Sequence, residues 1–488
     1  MSSVTDALAR HAREQPEQRA VTGSREHLNW QQLHEEVVRL ATALAGARVL
    51  ATLLVNSPAW VVTDLAALRA CVTHVPLPVF FSDSQLQHTL QDAAVDTLIT
   101  DDPERIRALF PVTASDTLWI AGRRCARLLL DIKLPQAAAA DAVAKVTYTS
   151  GTTGSPRGVR LSLETLETVA SALARAAEAT PADRAMALLP LSILLENIGT
   201  VYVPVLAGAQ LLVPDAADTG VDGSSRVDAG RLAATLQTHR PTALIVPPGL
   251  LKLLTGLAQR HAIPDSLRYI AVGGAPAGEG LLEAAGAAGL PVYQGYGLSE
   301  AGSVVAVNTP THNRPGSVGR LLPHVRALIS EAGEIVLQGT TFSGYLGAEG
   351  RDPHESLATG DTGHFDADGY LYVTGRVRER IITSYGRNIS PEWVEAELLA
   401  HNGIAQAAVI GNGRARLLAV LVPAGEGGDL AAAVAATNAR LPDYAQIHAW
   451  LPITRPFTVA SGELSPAGSP RRDIIEQHYF PLHKVGNR

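Results

Sequence analysis

Between residues 49 and 289 short apolar runs alternate with helix-length stretches, and this alternation limits the fold more than any other feature. VLATLLVN (49–56) is followed by AWVVTDLAALRA (59–70) and VTHVPLPVF (72–80). TALIVPP (242–248), LLKLLTGLAQRH (250–261), LRYIAVGG (267–274) and EGLLEAAGAAG (279–289) repeat the pattern. Strand-length runs separated by helices predict βαβ units around largely parallel sheets, an α/β fold. LHEEVVRLATALAG (33–46) adds a helix to the first 45 residues. Beyond about residue 315 the texture changes: EIVLQG, FSGYLG and HFDADGYLYVTGR are short, turn-rich and aromatic, which predicts antiparallel strands, with DADG as a hairpin turn. After Arg376, RIITS, PEWVEAELLA, AQAAVIGN and ARLLAVLVPA, with a helix around 429–440, form a set of their own. A chain of 488 residues exceeds what one hydrophobic core serves, and the boundary falls at Gly375–Arg380.

The net charge of −7 gives no overall attraction to nucleic acid or anionic lipid. Two cysteines, Cys71 and Cys125, make neither a disulfide framework nor a metal-ligand spacing. The polar start MSSVTDALARHAREQPEQ has no apolar core of a leader. Met186–Pro214 carries one charge, Glu196, but Pro190, Asn197, Pro204 and two glycines interrupt it. It reads as buried strand and helix, not as a membrane span. A cytoplasmic enzyme is the expectation.

YTSGTTGSPRGV (148–159) crowds serine, threonine and glycine around one arginine. Bare backbone and hydroxyls make a cradle for anionic oxygens, and Arg157 adds a fixed charge. KVTYTS before the loop predicts a strand, and VRLSLETLETVASALARAAE after it a helix broken at LS. The alternative is a hydroxyl-rich surface loop. A second cluster, VYQGYGLSEAG (292–302), lacks the third glycine of a dinucleotide fingerprint. It misses the GxSxG nucleophile elbow by its last residue, which keeps a serine hydrolase using Ser299 open. Beside a phosphate loop, Ser299 and Glu300 make a phosphate donor and a magnesium ligand. In a third cluster, residues 357–395, Asp361 sits beside glycine, where a carboxylate can accept both hydroxyls of a ribose or simply orient a turn.

In this order the three clusters resemble the adenylate-forming superfamily of acyl-CoA synthetases, luciferases and stand-alone adenylation domains, over nearly the whole chain. The resemblance implies a large N-terminal domain of βαβ-built sheets with a smaller barrel-like β subdomain (1–375), a hinge (376–380) and a small mobile α+β lid (381–488). Thr149, Ser150, Gly151, Thr152, Thr153, Gly154 and Arg157 fall on its phosphate loop. Gly273 with Gly274, Ala275 and Pro276 falls on its adenine-side loop. Tyr296, after Gly295, would lie against adenine, with Gly297, Ser299 at phosphate and Glu300 on Mg²⁺. Asp361 and Arg376 fall on its ribose positions, and Arg378 on its hinge. The implied activity joins a carboxylic acid to ATP as acyl-AMP with release of pyrophosphate. Transfer to a thiol follows, coenzyme A first, with a carrier protein or an amine as alternatives.

Two departures matter. Only four of the 40 basic residues are lysine (Lys133, Lys145, Lys252 and Lys484), and Arg157 stands where the family carries lysine. Near the end, in ELSPAGSPRRDIIEQHY (463–479), Ser469 replaces the family's catalytic lysine. Arg471, with Arg472 and Lys484 behind it, is the candidate substitute; the alternative is a nucleotide-binding protein whose catalysis has weakened. LPLSILLENIG (189–199) would line the acyl side through Ile193, Leu194 and Glu196, with Gly273 and Gly295. Glu196 is the only carboxylate there to meet an α-ammonium, so an ordinary amino acid is disfavoured. The apolar run with YGRNISPEWVE (385–395) favours aliphatic acids, with aryl acids second.

Overall fold

The computed structural model describes residues 2–132, 143–149, 156–222, 226–377, 379–385, 387–425, 429–465 and 468–480. Its α/β architecture rests on two large sheets. The seven-stranded sheet has a parallel centre of Val49–Leu53, Thr73–Pro76 and Thr97–Thr100, flanked by antiparallel hairpins. One of these hairpins is Val143–Thr149 with Arg157–Ser162. The nine-stranded sheet is parallel from Arg19–Thr22 across to Val292–Tyr296, and antiparallel at both ends. A four-stranded antiparallel sheet follows, and in it Leu357–Phe365 and Leu371–Arg376 form the hairpin that DADG predicts. A separate three-stranded sheet lies between Ile404 and Pro452.

Local chemistry explains the boundaries. Asn29 and Gln32 cap each other at the start of helix Trp30–Ala43, and Ser57 caps the helix Pro58–Ala70, which carries proline in its first turn. The Met186–Pro214 span holds short strands, helix Leu194–Asn197 and a wide turn Ile198–Tyr202. Among the described residues no helix is long and apolar enough to cross a membrane. Two expectations are corrected. Residues 157–162 continue as strand, and the helix begins only at Leu163, because the Ser162 side chain accepts from Thr165 N–H and caps it there. FSGYLG is not a strand: Gly344 has φ +103°, which turns the chain, and only Tyr345 pairs, as a single bridge to Val159.

A charged network lies sealed in the larger part of the fold. Lys145, on the strand leading to the phosphate loop, is fully buried. Its Nζ donates to Asp64 Oδ1 (2.7 Å), to Tyr202 Oη (2.8 Å) and to Asn197 Oδ1. His74 joins Asp64 at 2.8 Å and Thr52 at 2.9 Å. Burial opposes ionisation of Asp64, but Lys145 and His74 outweigh it and hold the carboxyl well below the usual range. Burial lowers the pKa of His74 from the ordinary histidine value.

The elements after residue 380 have cores of their own, around Val394, Leu421 and Phe457. They meet the rest along a mainly polar seam. Lys252 Nζ donates to the carbonyls of Leu399, His401 and Ile404 at 2.8, 2.6 and 3.2 Å, capping the end of helix Pro391–Leu399. Glu397 accepts from Glu279 N–H, at the start of helix Glu279–Ala287, at 3.0 Å. Arg440 lies 3.1–3.5 Å from Glu279, Glu283 and Glu397.

Candidate active site

The hairpin that carries the first motif brings Thr149 opposite Arg157 at the end where the loop joins its strands. Ser150, Gly151, Thr152, Thr153 and Gly154 lie outside the described residues. Tyr148 Oη donates to Asp92 Oδ2 (2.7 Å), and Pro156 O meets His88 Nε2 (3.0 Å), so both ends of the loop are tied to the helix Asp83–Asp92.

Arg157 is exposed, and its guanidinium carbon lies 3.6 Å from the centre of the Tyr345 ring. Tyr345 Oη donates to Glu300 Oε1 at 2.7 Å. Burial, with the Glu300 charge behind it, pushes the phenol up to about 12, so it remains a donor at neutral pH. Backbone pairing fixes the same segment: Phe342 N–H donates to Glu300 O (2.8 Å) and Leu346 N–H to Gly158 O (2.8 Å). A Cβ on Gly158 would stand 2.6 Å from Leu346 Cδ1, so glycine there permits the docking. Tyr345 is the residue that sequence reasoning missed, although a tyrosine flanked by Gly344 and Gly347 in an aromatic stretch was in view.

The second motif starts on strand Val292–Tyr296 and turns at Ser299–Ala301. Gly297 has no room for a side chain: a Cβ would sit 1.9 Å from Ser303 O. Tyr296 Oη donates to Asp361 Oδ2 at 2.7 Å. Arg376, paired with Asp361 in the hairpin register, reaches Oδ1 with its Nε at 3.3 Å. Burial raises the Asp361 carboxyl; Tyr296 and Arg376 pull it back, and the charge of Glu300 adds to the rise. The Tyr296–Asp361 bond joins the second and third motifs. Among the described residues no cluster of three or more His, Cys, Asp or Glu could hold a metal by itself. Glu300, half-buried with Oε2 outside the tyrosine bond, suits a hard cation whose other ligands are phosphate oxygens and water.

Gly274, Ala275 and Pro276 form an exposed turn after strand Tyr269–Val272, with Gly274 at φ +80°. Gly273 sits between Gly295 and Leu195: its Cβ would be 3.7 Å from Gly295 O and 3.8 Å from Leu195 Cδ2. Leu194 and Glu196 are not set against Gly273. Leu194 belongs to the main core and Ile193 is half-buried. Glu196 is fully buried, and its Oε1 accepts from Leu188 N–H (3.2 Å) and Thr200 Oγ1 (3.0 Å). Burial pushes its carboxyl up to about 8.

Arg471 is not brought to this cluster. It is an exposed residue ahead of helix Arg472–Tyr479, and its N–H bonds to Glu463 O at 2.8 Å. Arg472 instead binds Glu379 (2.7 Å) and Glu395 (2.6 Å). Among the described residues, every hydrogen bond and ion pair made by 455–480 stays within 379–480. Arg378 and Lys484 lie outside the described residues. Among the described residues the histidine side chains bond elsewhere than at Ser299.

Residues 8–351 match the family model for AMP-binding enzyme. The 2-succinylbenzoate–CoA ligase of Bacillus mycoides (strain KBAB4) is 30% identical over 443 residues, covering 84% of this chain and 86% of that protein. The solved structure of the anthranilate CoA ligase AuaEII in complex with anthranoyl-AMP aligns with a TM-score of 0.79 at 20% identity, covering 98% and 97% of the two chains. The o-succinylbenzoate coenzyme A synthetase of Bacillus subtilis, in complex with ATP and magnesium ion, aligns with a TM-score of 0.75 at 24% identity, covering 96% and 98%. These two likenesses establish the fold.

Proposed function

We propose that this chain, which belongs to the AMP-binding enzyme family and is a ligase of its AMP-forming kind, activates an aromatic carboxylic acid as the acyl adenylate and passes the acyl group to coenzyme A. The observation that carries this reading is the meeting of three distant segments. Arg157 and Glu300 share Tyr345, while Tyr296, four residues before Glu300, joins Arg376 in holding Asp361.

In the reading, a carboxylate oxygen of the acid bonds to the α-phosphorus of ATP while the bond to the β-phosphate oxygen breaks and pyrophosphate leaves. The acid is already ionised and needs no general base, so positioning and charge neutralisation carry the rate. Arg157 faces the β- and γ-phosphates, Ser299 the α-phosphate, and Asp361 accepts from the ribose hydroxyls. Magnesium, held by Glu300, would neutralise charge on the phosphates. The thiol sulfur then bonds to the acyl carbon, AMP leaves, and the thiol proton passes to solvent. Residues 1–375 would form the body and 381–488 a lid that turns about 376–380 between the two steps.

The relatives support an aryl acid over an aliphatic one: one is a 2-succinylbenzoate ligase and another binds anthranoyl-AMP. Gly273 stands beside Gly295, bare backbone that leaves room for a ring, whereas Leu194 of the apolar run lies in the core. A pyrophosphate-exchange panel over aryl, fatty and α-amino acids tests the reading. Aryl acids should exchange best; fatty acids in first place would overturn the acid class. ATP binding without exchange on any acid would favour a protein that only binds nucleotide, and fluorophosphonate labelling of Ser299 a hydrolase. With Ser469 in the tail, adenylation lacks one charge-assisted contact, a loss of about 10²–10³ in rate. Ser469→Lys should therefore accelerate exchange, and no acceleration would sink that account of the tail.

A further inference from the structure

We propose that Tyr345 is a positioning residue that sets two opposite charges at once, its ring seating the Arg157 guanidinium and its hydroxyl orienting the Glu300 carboxylate so that Oε2 is left for the cation. The proposal rests on the adenylation reading above and adds a residue to it. A flat guanidinium stacks on a flat ring, here at 3.6 Å, which a lysine ammonium does not match in area or geometry. The arginine at 157 and the tyrosine at 345 are therefore fitted to each other. The hydroxyl bond of 2.7 Å takes one oxygen of Glu300 and fixes the carboxylate plane. The ring itself is held: Phe342 meets it edge-on at 4.9 Å, and Val159 bridges its backbone. The joint consumes neither charge, because both of its contacts are to a neutral group.

The two halves of the joint separate experimentally. Tyr345→Phe keeps the ring and removes the hydroxyl; Tyr345→Leu removes both. Binding is measured by isothermal titration calorimetry with three probes: AMP, ATP in EDTA, and ATP with magnesium. For Tyr345→Phe, affinity for ATP with magnesium should fall about tenfold, as expected for one hydrogen bond to a charged group, while AMP and ATP in EDTA stay within about twofold. For Tyr345→Leu, ATP in EDTA should also weaken, by about tenfold, and Arg157→Ala added to it should cost little more. AMP lacks the β- and γ-phosphates, so a merely structural tyrosine would weaken AMP as much as ATP. That result, or no change with any probe, overturns the proposal. A wild-type protein that binds AMP without any magnesium-dependent gain for ATP overturns the joint alone. One that binds no nucleotide overturns the adenylation reading and the joint with it.

Discussion

Lys145 and Arg157 stand on the two strands of one hairpin and are held by opposite means. Lys145 is sealed from water and matched by Asp64, with Tyr202 and Asn197 completing its bonds. Arg157 is exposed, and its contact among the described residues is the face of Tyr345. A cation cancelled by a carboxylate has little field left to offer a ligand. One propped on an aromatic ring keeps nearly all of it, so charge is neutralised where the fold is built and left available where phosphate would lie.

Substitutions can break this contrast. Lys145→Met should lower stability by about 3–5 kcal/mol in urea unfolding, because Asp64 loses its buried partner. AMP affinity of the folded fraction should be unchanged, and adding Asp64→Asn should recover much of the loss. Arg157→Ala should do the reverse: a fall in exchange rate of about 10²–10³, or about 2–4 kcal/mol, with the melting temperature unmoved. A destabilised Arg157→Ala protein would erase the distinction.

Glu196 sharpens the contrast as a buried carboxyl with no opposite charge. Its folded pKa of about 8 lies above the ordinary 4.5, so between these values the folded chain holds a proton that the unfolded chain has released. Stability from this group is therefore complete below about 4.5 and is lost as pH rises to about 8. Glu196→Gln escapes that loss. Its stability relative to wild type should climb across the window, by about 4 kcal/mol at pH 8. A flat difference from pH 5 to 8, by chemical denaturation, would show that Glu196 is ionised in the fold throughout that range.

Much of the fold was legible because burial on both sheet faces makes parallel strands continuous apolar runs, as in VLATLLVN and TALIVPP. The hairpin of Asp361 and Arg376 was legible because DADG states its own turn. The network around Lys145 was not. One lysine in an apolar run reads as an edge residue until Asp64, His74 and Asn197 are folded against it. The phase of residues 193–196 was lost for a different reason: the short helix Leu194–Asn197 runs straight into the wide turn Ile198–Tyr202, where a 3.6-residue period fails. Arg471 looked close to the needed charge along the chain, but helix Arg472–Tyr479 anchors its neighbour Arg472 to Glu379 and Glu395. Tyr345 escaped notice because its role exists only in three dimensions.

The seam made by Lys252, Glu397 and Arg440 bears on how the surfaces behave once parted. Water can take over nearly every contact there, carbonyl for carbonyl and carboxylate for carboxylate. If the small unit slides or lifts as proposed, it uncovers hydratable faces instead of sticky ones, with little risk of clumping between neighbouring molecules.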